Sequence, residues 1–266
     1  MDDLRISLIQ GDTLWHDPEA NRRQYDERLR ALAGATDLVL LPETFTSGFS
    51  NEALARAENM QGPTVDWIRE QAARLNAVVT GSVQIRDGDG VYNRLLWAQP
   101  DGGLRHYDKR HLFRMAKEHE RYASGRDRLI VEYRGWRICP MVCYDLRFPV
   151  FIRNRFDAEV VGRFDYDLLL FVANWPAARR NAWRTLLRAR AMENLSYVAA
   201  VNRVGRDGNG LDYAGDSVVL DYLGEPLVEC DDRVQTVTAV CPAAELRAYR
   251  QRFPAQLDAD RFALTE

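Results

Sequence analysis

Lysine is scarce in this chain, although positive charge is not. Only Lys109 and Lys117 are lysines among 36 basic residues, which stand against 39 acidic residues for a net charge of −3. This balance provides no basic stripe of the kind that neutralises phosphates, so nucleic acid is not an expected partner. Nucleotide bias alone could favour arginine, yet a lysine that persists marks a position where a compact ammonium could be required.

Long apolar runs and paired cysteines are also missing. No apolar run approaches the roughly 20 residues that span a bilayer, and the opening MDDLRISLIQGD lacks a basic segment and a small-residue cleavage site. The four cysteines, at positions 139, 143, 230 and 241, are too few and too irregular for a disulfide framework. We therefore expect a cytoplasmic protein with reduced thiols and no membrane partner.

Metal and nucleotide motifs are absent as well. The histidines, at positions 16, 106, 111 and 119, have no metal-ligand spacing, and DGDG at 87–90 lacks the later ligands of a calcium loop. The segment GRDGNG at 205–210 lacks the strand–turn–helix context of a phosphate loop and is interpreted as a surface turn. We expect neither a metal nor a cofactor.

Apolar strands alternate with amphipathic helices along the chain. Strands are predicted at LRISLIQ, DLVLLPE (37–43) and DLLLFVANW (167–175), and helices from Pro18 to about Gly34 and over 63–75, 178–194 and 243–252. No break suggests a second domain, so we expect one α/β domain over residues 1–266, with central strands and outer helices. In such folds, ligands gather outside the carboxyl ends of the strands.

Chemically capable residues stand at those strand ends. Glu43 ends DLVLLPE, Lys109 follows LRHYD, Cys143 follows WRICPMV, and Asn174 closes DLLLFVAN. A carboxylate near apolar surroundings suits acid–base work, and an ammonium beside sulfur would favour a thiolate and stabilise an oxyanion. The ordinary interpretations are a solvated glutamate, a surface lysine and a core cysteine. Convergence at one edge favours the chemical interpretation.

The segments LVLLPE, YDKRHLF and CYDLRFP resemble, in this order, the motifs of the nitrilase or carbon–nitrogen hydrolase superfamily. The resemblance extends from LRISLIQ through NWP and RARAMEN to the late LGE turn, which is nearly the whole chain. It implies a four-layer αββα sandwich in which Glu43, Lys109 and Cys143 are the base, the lysine and the nucleophile. Val150 departs from the frequent family pattern RFPEL, so one helix contact is expected to differ.

The resemblance also implies a further glutamate after the lysine. Glu118 and Glu120 are both available in KEHERY, and Glu118 is preferred because its spacing to Gly125 is similar to the family's. Arg147 either holds a substrate carboxylate or locks the CYDLRFP turn through an internal ion pair, with Arg114 as the second carboxylate-binding candidate. The full set of expected substrate-binding residues is Tyr144, Arg147, Phe113, Arg114 and Trp175.

Within the superfamily, CYDLRFP and ANWP are most similar to motifs of omega-amidases, which hydrolyse monoamides of small dicarboxylic acids such as 2-oxoglutaramate. A nitrilase, an N-carbamoyl amino acid hydrolase and a catalytically silent binding or assembly protein of the same fold are the alternatives. Family members commonly form dimers, so a homodimer is expected. Trp183 and Leu187, on the predicted helix 178–194, face either the dimer interface or the sheet.

Overall fold

Two six-stranded mixed sheets form the centre of the molecule. The structure is a computed structural model and describes residues 1–157 and 163–264. The first sheet has the strand order β16-β1-β2-β3-β4-β5 and the second β15-β14-β11-β10-β7-β6, while β8 pairs with β9 and β12 with β13. The strands are β1 (Leu4–Gln10), β2 (Leu38–Leu40), β3 (Val78–Asp87), β4 (Gly90–Ala98), β5 (Leu104–Asp108), β6 (Val131–Tyr133), β7 (Trp136–Val142), β8 (Phe156–Asp157), β9 (Arg163–Phe164), β10 (Leu168–Ala173), β11 (Tyr197–Asn202), β12 (Val204–Arg206), β13 (Asp212–Ala214), β14 (Val218–Leu220), β15 (Pro226–Glu229) and β16 (Gln235–Cys241).

The helices cover the outer faces of both sheets. They are α1 (Pro18–Arg30), α2 (Pro63–Leu75), α3 (Pro149–Ile152), α4 (Arg180–Asn194) and α5 (Ala243–Arg252). Side chains alternate along a strand, so Leu38 and Leu40 of β2 join the core between the sheets, whereas Val39 packs in the cluster that contains residues of α1 and α2. With α4 packed on the second sheet, these layers form the predicted αββα sandwich, and the fold class is confirmed.

The structure shows which of two surfaces Trp183 and Leu187 of the outer helix α4 contact. Trp183 and Leu187 have no exposed surface, and the Trp183 Nε1–H donates to the backbone oxygen of Asp216 at 2.9 Å. Both side chains therefore face the sheet of their own protomer. Of the two alternatives, interface or sheet, the sheet is therefore the correct one for both residues, because burying them against it satisfies the apolar stripe of the helix.

Most element positions agree with the sequence predictions. LRISLIQ, 63–75 and 243–252 are confirmed as β1, α2 and α5, whereas the helix that begins at Pro18 ends at Arg30. The strand predicted over 37–43 is only Leu38–Leu40 as a regular element. The reason is Pro42, which has no backbone N–H to continue the pairing. In the described ranges, no helix is both long enough and apolar enough to cross a membrane.

The central strands of each sheet run parallel and bring their carboxyl ends to one edge. In the first sheet β2 lies parallel to β1 and β3, and in the second β10 lies parallel to β7 and β11. Glu43 lies just past β2, Cys143 directly after β7 and Asn174 directly after β10. The two sheets thus present their reactive strand ends to each other.

Candidate active site

Glu43 is fully buried where the first sheet meets the second. Its Oε1 accepts hydrogen bonds from Lys109 Nζ at 3.0 Å and from Asn93 Nδ2 at 2.7 Å. Its Oε2 accepts from the backbone N–H of Asn174 at 2.8 Å. This glutamate is therefore not a solvated loop residue, since both carboxylate oxygens are held by groups from other strands.

Lys109 is the only basic group bonded to that carboxylate in the described part of the chain, and its side chain is 1% exposed. Its Nζ lies 3.0 Å from each carboxylate oxygen of Glu118 as well as from Glu43. Burial alone would lower the pKa of Lys109, but the charges of Glu118 and Glu43 raise it well above its ordinary value. Lys109 is therefore a fixed ammonium.

Glu118, and not Glu120, contacts the lysine. It is fully buried, and its Oε2 also accepts from the backbone N–H of Phe113 at 2.6 Å, whereas Glu120 is exposed. Burial raises the pKa of Glu118, an effect that the nearby Lys109 opposes and the charge of Glu43 reinforces. We refer to Glu43, Lys109 and Glu118 as the charged cluster.

Cys143 stands at a sharp bend between β7 and a short 3₁₀ turn, Cys143–Arg147. Its φ of 43° is in the left-handed region, where a residue with a side chain is strained, and such strain concentrates at functional sites. Asp145 stabilises the bend by accepting from the Val142 N–H at 3.1 Å and from the Tyr107 hydroxyl at 2.8 Å. Cys143 is 8% exposed.

The surroundings of Cys143 raise the pKa of its thiol. Burial raises its pKa well above the ordinary value, and the charge of Glu43 adds to this effect, whereas Lys109 opposes it without cancelling it. Lys109 therefore acts in the expected direction, toward the thiolate, while burial and the charge of Glu43 act toward the thiol. Glu43 and Cys143 line the same cavity, so this carboxylate is placed to accept the thiol proton.

A cavity of about 480 Å³ opens above these residues. Glu43, Lys109 and Cys143 line it, together with four of the five residues predicted to bind substrate, namely Phe113, Tyr144, Arg147 and Trp175. The rings of Phe113 and Tyr144 meet edge to face, with centroids 5.0 Å apart. The Arg147 guanidinium lies 5.0 Å from the Trp175 ring centroid. The three reactive residues and four of the predicted substrate-binding residues therefore line the same cavity.

Arg114 does not line this cavity. It is exposed and begins the 3₁₀ turn Arg114–Ala116. Arg179 lines the cavity instead, with its guanidinium 5.2 Å from the Phe113 ring centroid. No carboxylate partner of Arg147 or Arg179 is found in the described residues, so the ion pair considered for Arg147 is not present there.

Sequence reasoning missed two parts of the site. Asn93 contacts both Glu43 and Glu118, and its signal was available: it lies two residues before Leu95 and four before Trp97, which face the core between the sheets. A polar residue at a strand position that faces this core is unusual. The second part is the β12–β13 hairpin, which was interpreted only as a surface turn although Asp207 and Tyr213 line the cavity.

These groups can support covalent chemistry without a metal. A nucleophilic sulfur with a neighbouring carboxylate as proton acceptor defines a class of hydrolase that passes through a covalent intermediate, and a fixed ammonium can stabilise the oxyanion. In the ranges 1–157 and 163–264, no group of three histidine, cysteine, aspartate or glutamate side chains could hold a metal ion.

The chain belongs to the carbon–nitrogen hydrolase family, whose model matches residues 5–251, and it is a hydrolase that acts on carbon–nitrogen bonds. It is 49% identical over 265 residues to omega-amidase YafV of Escherichia coli K12, covering 99% of this chain and 100% of that protein. The 2-oxoglutaramate amidase of Bacillus subtilis is 29% identical over 252 residues, which cover 94% of this chain and 95% of that protein. The crystal structure of XC1258 from Xanthomonas campestris, a CN-hydrolase superfamily protein with an arsenic adduct in its active site, superposes with a TM-score of 0.98 at 66% identity, covering both chains fully.

Proposed function

We propose that this protein is a cysteine amidohydrolase of the omega-amidase type, which releases ammonia from the terminal amide of a small dicarboxylic acid monoamide such as 2-oxoglutaramate. The observation that carries the proposal is the composition of one cavity, which is lined by Cys143, Glu43 and Lys109 together with Arg147 and Arg179. The full-length similarity to a protein named omega-amidase supports it.

Acylation begins at the Cys143 thiol, whose pKa is raised by its surroundings. Glu43 takes the proton of Cys143 as the sulfur attacks the amide carbon, and Lys109 Nζ with the backbone N–H of Tyr144 stabilises the negative oxygen of the tetrahedral intermediate. Glu43 then transfers the same proton to the amide nitrogen as the C–N bond breaks. Ammonia leaves, and the acyl group remains on Cys143 as a thioester.

Deacylation uses the same groups in reverse roles. Glu43 removes a proton from a water molecule that attacks the thioester carbon, and returns the proton to the departing sulfur. Glu118 keeps Lys109 in place through the two 3.0 Å contacts and helps to hold the substrate amide. The products are a dicarboxylic acid and the restored thiol, with no cofactor consumed.

The two arginines account for the choice of an anionic substrate. Two carboxylates in the charged cluster repel an acid, so the far end of the substrate needs a cation. Arg147 and Arg179 rest on the aromatic rings of Trp175 and Phe113, which restricts their motion while leaving their N–H groups available. A guanidinium binds a carboxylate through two parallel hydrogen bonds, which orients the substrate chain over the sulfur.

Replacing either arginine should separate binding from chemistry. In Arg147→Lys and Arg179→Lys, KM for an omega-amide acid should rise about 10- to 100-fold, the effect of losing a charge-assisted contact. The kcat/KM for an uncharged amide of the same length should change little. Arg114→Lys is the matched control, because Arg114 is exposed and does not line the cavity, and it should resemble the wild type. Equal losses on both substrates, or a lowered Tm, would assign the arginine to the scaffold.

A product assay separates the candidate reactions. The wild-type protein should release ammonia and a dicarboxylic acid in equal amounts from 2-oxoglutaramate and similar monoamides. Ammonia from the corresponding nitriles, without turnover of the amides, would indicate a nitrilase. Carbon dioxide from carbamoyl amino acids would indicate the carbamoyl hydrolase. The absence of turnover across all three substrate classes would favour a silent binding protein.

Residues 1–266 are further proposed to form one domain that works as a homodimer in the cytoplasm. Because Trp183 and Leu187 are buried within the protomer, we expect the dimer contact to use other surfaces. Light scattering at micromolar concentration should give twice the chain mass of 30.5 kDa. A strictly monomeric mass would contradict the dimer.

A further inference from the structure

Asn93 lies on β4 and contacts all three members of the charged cluster. Its side chain is fully buried, and its Nδ2 donates to Glu43 Oε1 at 2.7 Å and reaches Glu118 Oε1 at 3.5 Å. Its backbone oxygen accepts from the backbone N–H of Lys109 at 3.0 Å. One uncharged residue thus connects the two carboxylates to the backbone of Lys109.

The surroundings fix the orientation of the Asn93 amide. If the amide were flipped, its carbonyl oxygen would face the carboxylates of Glu43 and Glu118, which have no hydrogen to donate to it. In the observed orientation Oδ1 is buried and has no hydrogen-bond partner in the described part of the chain. An unsatisfied buried acceptor is destabilising, so this asparagine serves the site through its donor half.

The oxygens of Glu43 are therefore unequal. Oε1 accepts two hydrogen bonds, from Lys109 and Asn93, and so has both in-plane lone pairs occupied. Oε2 accepts only the backbone N–H of Asn174 among the described residues, which leaves one lone pair open. Asn174 directly follows β10, which pairs with β7, the strand that ends just before Cys143, so Oε2 faces the sheet that carries the sulfur.

We propose that Asn93 is a positioning residue that, together with Lys109, holds Oε1 of Glu43 and leaves Oε2 as the single oxygen that exchanges a proton with Cys143. This inference rests on the proposed function for its catalytic meaning. In acylation Oε2 takes the thiol proton and passes it to the departing nitrogen, and in deacylation it takes a proton from the attacking water and passes it to the departing sulfur, so Glu43 ends each half in its starting state. Without the Asn93 donor, Oε1 has an open lone pair and the carboxylate can rotate away from the sulfur.

Alkylation of Cys143 tests the proposal without requiring amide turnover. Iodoacetamide is attacked by the sulfur with loss of iodide while Glu43 accepts the thiol proton, and the rate is followed on the Cys143 peptide by mass spectrometry from pH 5 to 9. Asn93→Leu keeps a similar volume but has no donor. It should slow alkylation about tenfold or more at every pH, the effect of removing a hydrogen bond to a charged group.

Asn93→Asp gives the distinguishing signature. The introduced carboxyl can donate to Glu43 only when protonated, and its pKa should lie above the usual 3.9 or so because it is buried beside two carboxylates. The ratio of its alkylation rate to that of the wild type should therefore rise as the pH falls. The corresponding ratio for Asn93→Leu should stay flat across the same range.

Asn154→Asp is the matched control. Asn154 is 5% exposed and donates to the backbone oxygens of Tyr166 and Asn194 at 2.9 Å, with no contact to the charged cluster. It should lower Tm while leaving the pH profile of Cys143 alkylation unchanged. Circular dichroism verifies that each variant folds. If Asn93→Leu does not fold, Asn93→Ala replaces it.

Two results would overturn the inference. One is alkylation within twofold of the wild type in both Asn93 variants. The other is an equal loss in both at every pH, which would make Asn93 a structural residue. Failure of the wild type to hydrolyse any amide would refute the proposed function alone, because the alkylation profile does not depend on the substrate.

Discussion

Cys143→Ala should lower the rate of ammonia release from an omega-amide acid by about 10⁴-fold or more, as expected when a covalent nucleophile is removed. The fold should persist, because alanine also has a Cβ at the φ of 43° and introduces no new clash. Cys143→Ser should fail as well, since a hydroxyl is much harder to deprotonate than a thiol. Both variants are assayed for ammonia at saturating substrate.

Cys139→Ser is the matched control for that experiment. Cys139 lies four residues earlier on β7 and is fully buried, and burial raises its pKa to about 12, so it is an unreactive core thiol. Its replacement should reduce Tm and leave kcat per folded molecule near the wild-type value. Substantial turnover by Cys143→Ala would refute the thioester mechanism.

Lys109→Arg should lower kcat by about 10²- to 10³-fold although the charge is retained, the loss seen when one oxyanion donor is removed. The Lys109 ammonium fits between three carboxylate oxygens at 3.0 Å, in a space that is 1% exposed. A planar guanidinium is larger and cannot aim one N–H group at the oxyanion while satisfying both glutamates. Steady-state kinetics with the omega-amide acid gives the measurement.

Lys117→Arg is its control, because Lys117 is the other lysine of the chain and is exposed. It should leave kcat and KM unchanged. A near wild-type kcat in Lys109→Arg would mean that Lys109 does not stabilise the transition state.

The sequence could predict the elements and the edge at which the reactive residues meet. Apolar runs and helical periodicity are local properties, so β1, α2 and α5 were predictable to their final residues. Glu43 and Cys143 follow from the rule that ligands gather at the carboxyl ends of strands, and Lys109 was conspicuous because lysine is so rare. The resemblance to a family supplied the layer order and the preference for Glu118.

The remaining features depend on distances across the two sheets. Which arginine faces the cavity is decided by how each loop turns, so Arg114 and Arg179 cannot be distinguished by type or spacing. The direction in which the pKa of the Cys143 thiol shifts depends on the balance between burial, Glu43 and Lys109, and a sequence contains no such distances. For Trp183, the apolar stripe of a helix does not identify which of two surfaces it contacts.

The most direct test of the central claim is peptide mass spectrometry of Cys143 after acid quenching of the wild-type protein during turnover of an omega-amide acid. We predict an adduct on the Cys143 peptide with the mass of the dicarboxylic acid minus water, which appears with the first ammonia released and is absent in Cys143→Ala. Ammonia release with an unmodified Cys143 peptide at every quench time would contradict the proposed thioester.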